Sequence, residues 1–390
     1  MARDTDADWR FLAETDPYFA VLTLDQYHAD QIGPAQLDEF YRSGQEDMAL
    51  ALTRIRQQEP GFRSHRALDF GCGVGRLTLA MAGHAADVVG LDIAPGMLAG
   101  ARKAAQQRGV GNVRFAHDLT PEDRFDWVNS FIVLQHIPPA RGMAIIGDLL
   151  ARLDVGGFCS LHVTLFRIAG AAAGALRTRT HWFYDGERMQ ALVEKDRDRT
   201  GVMGMYDYDL NRVLAIMIAN GINPYALSMT DHGGNHGAWV FGHRSPERYA
   251  VELQHRYVAS GESSFTRLLG SGWAIPEEWG VWTDGTDAVL ELQLPGGRGA
   301  VCLEGRAFVV PEKHPRLSIS VEVNGSPAAY QSVSADDPAV SLTVPAGLAN
   351  ERGVLRLRVQ IDRPRSPFQF GISSDDRMLG FGLEAVTILG

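Results

Sequence analysis

Asp69, Gly71, Gly73, Gly75 and, seventeen positions after the last glycine, Asp92 are the residues whose types and spacing are best suited to holding a ligand. Glycines at alternate positions let the backbone take positive φ and let a ligand approach it closely, and a helix starting near Arg76 aims its free N–H groups at the same place. Asp92 ends the apolar run Val88-Val89-Gly90-Leu91, at the spacing where an acid meets the two hydroxyls of a bound ribose. The implied chemistry is capture of a ribose-bearing cofactor. The nicotinamide fingerprint G-x-G-x-x-G is not met, because the glycines run G-x-G-x-G and Asp69 stands two positions before the first.

The elements that must position these residues follow from the apolar pattern. From 66 to 165 strand-like and helix-like runs alternate, which implies a parallel sheet covered on both faces. Strands are expected at 66–70, 87–91, 112–116, from 125 onward and at 157–165. Helices are expected at 76–83, at 95–108 behind Pro95 and before Gly109, and at 139–153. A helix through Leu210, Val213, Leu214, Met217 and Ile218 stops at Gly221, and strands at about 225–230 and 237–243 enclose the loop Asp231-His232-Gly233-Gly234-Asn235-His236. If the strand before it is parallel to its neighbours, that loop lies on the carboxyl edge of the sheet, where ligands bind. Upstream, residues 1–35 carry Trp9, Phe11, Tyr18, Phe19 and Tyr27 without a clean period and read as a helical or irregular lid; Ser43-Gly44-Gln45-Glu46 reads as a capping box opening a helix.

Asp-x-Gly-x-Gly-x-Gly followed by Leu91-Asp92-Ile93-Ala94-Pro95-Gly96-Met97-Leu98 closely resembles the first two motifs of class I S-adenosylmethionine-dependent methyltransferases. The resemblance implies that Asp69 and the glycines hold the methionine part of the cofactor, that Asp92 holds its ribose, and that Asp118, after the third strand, meets the adenine amine. Cys72, Arg76, Leu77, Ile93, Met97 and Leu119 fall beside these positions and complete the expected cofactor contacts. Phe125 to Pro138 resembles the family's fourth-strand motif, so Ser130 and Phe131 are expected to line the cofactor and Gln135 and His136 to face the acceptor. Asp154-Val155 stands where the family often has Lys-Pro, a difference confined to a turn.

The resemblance implies methyl transfer from a sulfonium, an in-line displacement in which alignment does much of the work. A hydroxyl acceptor must also lose its proton, for which a histidine is the natural base. His136 is the first candidate, with His232 and His236 behind it. Those two are four apart, but Gly233-Gly234 between them disfavours a helix, no carboxylate pair accompanies them, and no metal is expected. Tyr206, Tyr208, Trp182 and Asn235 are candidates for the acceptor pocket, which in this family is often built after the fifth strand, here the insertion 166–206. Core packing is the competing reading of each aromatic residue.

Composition limits the remaining possibilities. Over 390 residues the formal net charge is −10 and the sequence pI is about 5.6, which argues against a nucleic acid partner because phosphate binding needs a basic face. The polar start has no signal-peptide core, and the most apolar stretch, residues 168–176 between two arginines, is far too short to span a bilayer. Cys72, Cys159 and Cys302 are scattered and odd in number, as reduced thiols are, so a cytoplasmic enzyme is expected.

Beyond a helix expected at 246–260 and a linker around Ser260-Gly261-Glu262, the apolar period changes from helix to strand. Leu290, Leu292 and Leu294 alternate with polar positions, as do Leu317, Ile319, Val321 and Val323 before Asn324-Gly325, and Leu355, Leu357 and Val359. A β-sandwich of roughly 120 residues is expected. Residues 275–285, with Trp279 and Trp282, loosely resemble the opening of β-sandwich modules appended to bacterial polysaccharide-assembly enzymes. The expected organisation is a lid at 1–60, an α/β Rossmann-like methyltransferase domain at 61–245, a helix and linker at 246–270, and an all-β sandwich at 271–390. The expected function is O-methylation of a saccharide or glycoside hydroxyl. Two alternatives are a phenol, acid or amine acceptor with the sandwich as a homo-oligomerisation platform, and a non-catalytic glycan-binding or assembly protein.

Overall fold

In the computed structural model residues 4–167, 180–184, 189–193, 201, 203–261, 264–345, 347–350 and 352–390 are described, with the backbone alone for Arg167, 180–184, 189–193 and Ser264. They fall into two compact units, Met1–Arg244 and Ser245–Gly390. Among the described residues no helix is long and apolar enough to cross a membrane. The apolar stretch at 168–176 lies outside them.

The first unit opens with helices α1 (Thr5–Thr15), α2 (Pro17–Val21) and α3 (Pro34–Gln58). Asp4 caps α1 by accepting from the amides of Asp6 and Asp8's predecessor Ala7. The capping box expected at Ser43 does not open a helix. The helix starts nine residues earlier, at Pro34 behind Gly33, and inside it the Ser43 hydroxyl turns back to the Phe40 carbonyl. Proline at the first helical position needs no N–H partner, which makes it the stronger start.

Strands and helices then alternate: β1 (Ser64–Phe70), α4 (Arg76–Met81), β2 (Ala85–Leu91), α5 (Pro95–Gln107), β3 (Val113–Ala116), β4 (Phe125–Ser130), α6 (Pro139–Ala151) and β5 (Leu153–Arg167). After a small antiparallel sheet of β6 (Thr180–Tyr184), β7 (Met189–Val193) and β8 (Met205–Tyr206) come α7 (Leu210–Ala219), β9 (Tyr225–His232) and β10 (Asn235–His243). The seven-stranded sheet runs β3-β2-β1-β4-β5-β10-β9. The first five strands are parallel, and β10 is antiparallel to both β5 and β9. The strand order reverses beside β1, so the β1 and β4 loops open a crevice on the carboxyl edge.

Alternate residues of each strand feed opposite faces. Ala67, Val88, Trp127, Phe158 and Trp239 pack with Met48, Leu52 and Ile55 of α3, whereas Leu68, Val89, Val128, Leu161 and Val240 pack with Ile146 and Leu150 of α6 and Val213 and Met217 of α7. The inner strands β1, β2, β4, β5 and β10 are therefore buried on both sides, which is why these segments read as apolar runs.

The second unit holds two antiparallel sheets. One contains β11 (Arg256–Val258), β12 (Val281–Trp282), β14 (Ala300–Ala307), β17 (Ala339–Val344) and β19 (Phe381–Leu389); the other runs β13 (Asp287–Gln293), β18 (Val354–Ile361), β15 (Arg316–Val323), β16 (Ser326–Ser334). Leu317, Ile319, Val321 and Val323 are buried in alternation with more exposed neighbours, as a sandwich requires. The helix expected at 246–260 is absent. Pro246–Tyr249 makes one 3₁₀ turn, the Val251 amide donates to the Gln293 carbonyl, and Arg256–Val258 pairs with Ala385–Thr387 as β11. Sheet pairing overrides a weak helical period there.

Candidate functional site

The loop between β1 and α4 takes its shape from its glycines. Gly71, Gly73 and Gly75 have φ of 73°, 53° and 86°, a region costly for any residue with a side chain. A Cβ on Gly71 would stand 2.3 Å from Val133 Cγ1, so the β1 and β4 loops touch only because this position is bare. Gly75 is the cap of α4 and packs toward Ala101 and Phe115. It does not line the cavity.

Asp69, at the end of β1, is buried and accepts from Thr78 Oγ1 at 2.7 Å and Asn129 Nδ2 at 3.0 Å. Burial pushes its carboxyl up to about 6, against the pull of those two hydrogen bonds. Asp92, at the end of β2, accepts from the Gly73 amide through Oδ2 and from the Ala94 amide through Oδ1, each at 2.9 Å. Burial raises its pKa too, opposed by these backbone donors. Burial, with Asp92 and Asp69 adding to it, raises the Cys72 thiol well above its usual range, which disfavours the thiolate.

Around this loop lies a cavity of about 900 Å³. Asp69, Gly71, Cys72, Gly73, Arg76, Leu77, Asp92, Ile93, Met97, Asp118, Leu119, Phe131, Gln135, His136, His232 and Asn235 all line it. Asp118 is exposed and pairs with His117 Nδ1 at 2.7 Å. Arg76 is buried and its Nη1 is held by Asp47 Oδ2 at 2.7 Å and Ser43 Oγ at 3.1 Å. The buried Arg76 Nε has no hydrogen-bond partner among the described residues.

Besides Gly75, four expected site residues lie elsewhere. Ser130 is fully buried in β4 and lines no part of the cavity. Tyr206 and Tyr208 belong to the core, and the Tyr208 hydroxyl donates to the Ile137 carbonyl at 2.8 Å. His236 stacks on Phe166, with ring centroids 4.9 Å apart, and is not a cavity residue. The two-residue turn Gly233-Gly234 explains the difference between the histidines: it pairs Asn235 with His232 and His236 with Asp231, and successive side chains on a strand point to opposite faces. The Trp182 side chain lies outside the described residues.

His136 sits on the 3₁₀ turn after β4. Its Nδ1 lies 2.9 Å from the Gly204 carbonyl oxygen, its Nε2 lies 3.3 Å from Gln135 Nε2, and Trp9 of α1 meets its ring edge-on at 4.9 Å. A carbonyl only accepts, so Nδ1 carries a hydrogen and the neutral ring keeps its lone pair on Nε2. Phe131 holds a further cavity histidine, His232, edge-on, and burial lowers the His232 pKa.

Several residues of the site were not singled out as cavity residues by the sequence, although Trp9 falls in the expected lid and Met203 in the expected pocket insertion. Trp9, Asp6 and Met203 line the cavity, and Asp6 pairs with Arg141 Nη1 at 2.6 Å, so α1 closes directly over His136. His162 of β5 is buried beside His232, bonds Thr230 Oγ1 through Nε2 at 2.8 Å, and is held neutral by burial, down to about 3. Strand alternation would have placed it inward; nothing local marks it as a neighbour of a loop seventy residues away. Among the described residues no group of three or more His, Cys, Asp or Glu is gathered as a metal site.

Residues 67–157 match a family described as a methyltransferase domain. The 23S rRNA (uracil(1939)-C(5))-methyltransferase RlmD of Edwardsiella ictaluri is 33% identical over 145 residues, 36% of this chain and 31% of that protein. The ubiquinone biosynthesis O-methyltransferase of Acinetobacter baumannii strain AYE is 34% identical over 95 residues, 23% of this chain and 40% of that one. The chain thus spans less than half the length of these curated relatives. A crystal structure of magnesium protoporphyrin IX methyltransferase from Synechocystis PCC 6803 with bound SAH is 21% identical, covering 59% of this chain and 98% of that one at a TM-score of 0.41. With the glycine loop, its two acids and the reversal of strand order beside β1, the family match makes residues 67–157 a class I, S-adenosylmethionine-dependent methyltransferase domain.

Proposed function

We propose that the chain is an S-adenosylmethionine-dependent O-methyltransferase whose acceptor is a hydroxyl of a saccharide or glycoside. The observation that carries the reading is the contact between His136 Nδ1 and the Gly204 carbonyl, which fixes the neutral ring of this cavity residue in the tautomer whose basic lone pair is on Nε2. When bound, the cofactor supplies a methyl group made electrophilic by a sulfonium. Asp92 accepts from the ribose hydroxyls, Asp69 and the bare backbone at Gly71 and Gly73 hold the amino-acid end, and the unpaired buried Nε of Arg76 suits its carboxylate. The cavity is large enough for cofactor and a small acceptor together. His136 takes the proton that the acceptor hydroxyl loses, with His232 as the second histidine within the same walls.

In support of a glycoside, Trp9 offers a ring beside His136, while the second unit presents the half-buried pair Trp279 and Trp282, with ring centroids 5.1 Å apart. A second reading, a phenol acceptor, is favoured by the apolar walls Leu22, Leu24, Met203 and Met205. Incubation of the full chain with methyl-labelled cofactor and parallel panels of saccharides, glycosides and phenols separates them. Label in a sugar hydroxyl supports the first reading, label in phenols alone replaces it with the second, and cofactor binding with no transfer to any acceptor overturns both.

A further inference from the structure

Thr164 and Gln135 are polar, buried and unaccounted for by cofactor binding alone. Thr164 Oγ1 donates to Gln135 Oε1 at 2.7 Å, and the other end of the same amide, Nε2, faces His136 Nε2 at 3.3 Å. Thr164 is 1% exposed and Gln135 7%, so bulk water does not compete for these groups and each must be satisfied by its neighbours.

We infer that Thr164 and Gln135 form a reversible hydrogen-bond relay that keeps His136 Nε2 unprotonated before transfer and accommodates the proton after it. Both are thereby positioning residues, and the inference rests on His136 as the base. The direction of the chain follows from the Gly204 carbonyl, which requires a hydrogen on Nδ1 in every protonation state. In the neutral ring Nε2 is an acceptor, so Gln135 must donate to it, which turns the amide oxygen toward Thr164, where a hydroxyl donates. This is the arrangement observed. In the transfer the acceptor hydroxyl takes the place of the Gln135 N–H at the one Nε2 lone pair, its O–H bond breaks and the proton goes to Nε2, the oxygen forms the new O–C bond, and the C–S pair leaves with sulfur. Nε2–H is now a donor. A half-turn of the Gln135 amide brings Oε1 to it and Nε2 to Thr164, whose hydroxyl accepts instead of donating. Every buried group keeps a partner in both states, which needs a residue able to both donate and accept at position 164.

Among the described side chains, the titratable and charged groups on the elements around this turn are Asp6, Asp8, Arg10 and Glu14 on α1, Arg141 and Asp148 on α6, Asp154, Cys159 and His162 on β5, Tyr206 on β8 and the adjoining Asp207. Asp6 and Arg141 neutralise one another.

The test is NMR of the full chain labelled with ¹⁵N in histidine imidazoles and glutamine side chains, with His136→Ala and Gln135→Leu used for assignment. The expected result is a neutral Nδ1–H tautomer for His136 at high pH. The Gln135 amide protons should be close to the His136 ring above the His136 midpoint and close to the Thr164 methyl below it, the switch sharing that midpoint. Gln135→Glu, which cannot donate to a neutral ring, is expected to raise the midpoint by at least one pH unit. Thr164→Ser should keep the switch and Thr164→Val lose it. Amide contacts that do not change across the titration, or a midpoint unmoved in Gln135→Glu, overturn the relay. Loss of the base reading is a separate result: His136→Ala that retains turnover in the transfer assay, whatever the wild-type spectra show.

Discussion

The Asp92 carboxylate accepts the Gly73 amide hydrogen, Oδ2 to nitrogen 2.9 Å, so the acid that ends β2 pins the glycine loop that follows β1. With its other oxygen on the Ala94 amide, the carboxylate is fixed between two strand ends before any ligand arrives. A group held this way loses little freedom on binding, which is the physical content of preorganisation.

The bare Cα of Gly71 holds the β1 and β4 loops in contact. Gly71→Ala is expected to cost about 2–4 kcal/mol, from overpacking against Val133 and the left-handed backbone together. Gly109, with φ of 67° and nothing within 4 Å of an added Cβ, is the control. Gly109→Ala is expected to cost only about 1 kcal/mol. Urea unfolding of both variants checks the difference; equal losses would show that contact with Val133 contributes nothing.

His162 gives the first unit a pH dependence of known sign. Its folded pKa, about 3, lies below the unfolded value of 6.5, so the unfolded chain binds the extra proton and stability is lost as pH falls below about 6.5. The loss should reach about 1.4 kcal/mol at pH 5.5. Comparing urea unfolding at pH 7.5 and 5.5, His162→Gln should show a smaller acid loss than wild type by about that amount.

Asp69 acts in the opposite direction. Its folded carboxyl, at about 6, binds a proton more tightly than the unfolded one at 3.8, so its contribution worsens as pH rises from about 4 to 6. Relative to Asp69→Asn, the wild type should lose about 2 kcal/mol between pH 4.5 and 7. A parallel pH dependence of the two proteins would contradict a desolvated carboxylate there.

Tyr208 serves the core. Tyr208→Phe leaves the half-buried Ile137 carbonyl without its donor and is expected to cost about 1 kcal/mol of stability. Cofactor affinity should be unchanged by calorimetry; a tenfold loss of affinity would return Tyr208 to the site.

The parts of this site written in the sequence are those imposed by local backbone demands. Gly71, Gly73 and Asp92 are legible because positive φ and a strand-end acid leave few residue choices, and the parallel sheet because β1, β2, β4 and β5 are buried on both faces. His232 and His236 were inseparable by composition; only the register of a two-residue turn puts one in the cavity and the other on Phe166. Tyr206 and Tyr208 carry polar handles that suit a pocket or a core equally well, and tertiary packing chose the core. Asp6 meets Arg141 and Trp9 meets His136 across more than a hundred residues of sequence, juxtapositions that no local period encodes.

Calorimetric titration of S-adenosylmethionine into the full chain and into Asp92→Ala tests the central claim most directly. The account predicts saturable one-to-one binding to the wild type and affinity at least tenfold weaker in the variant, from the loss of a charge-assisted contact of about 1.5–3 kcal/mol. No binding to the wild type, or equal affinity in a folded Asp92→Ala, would contradict it.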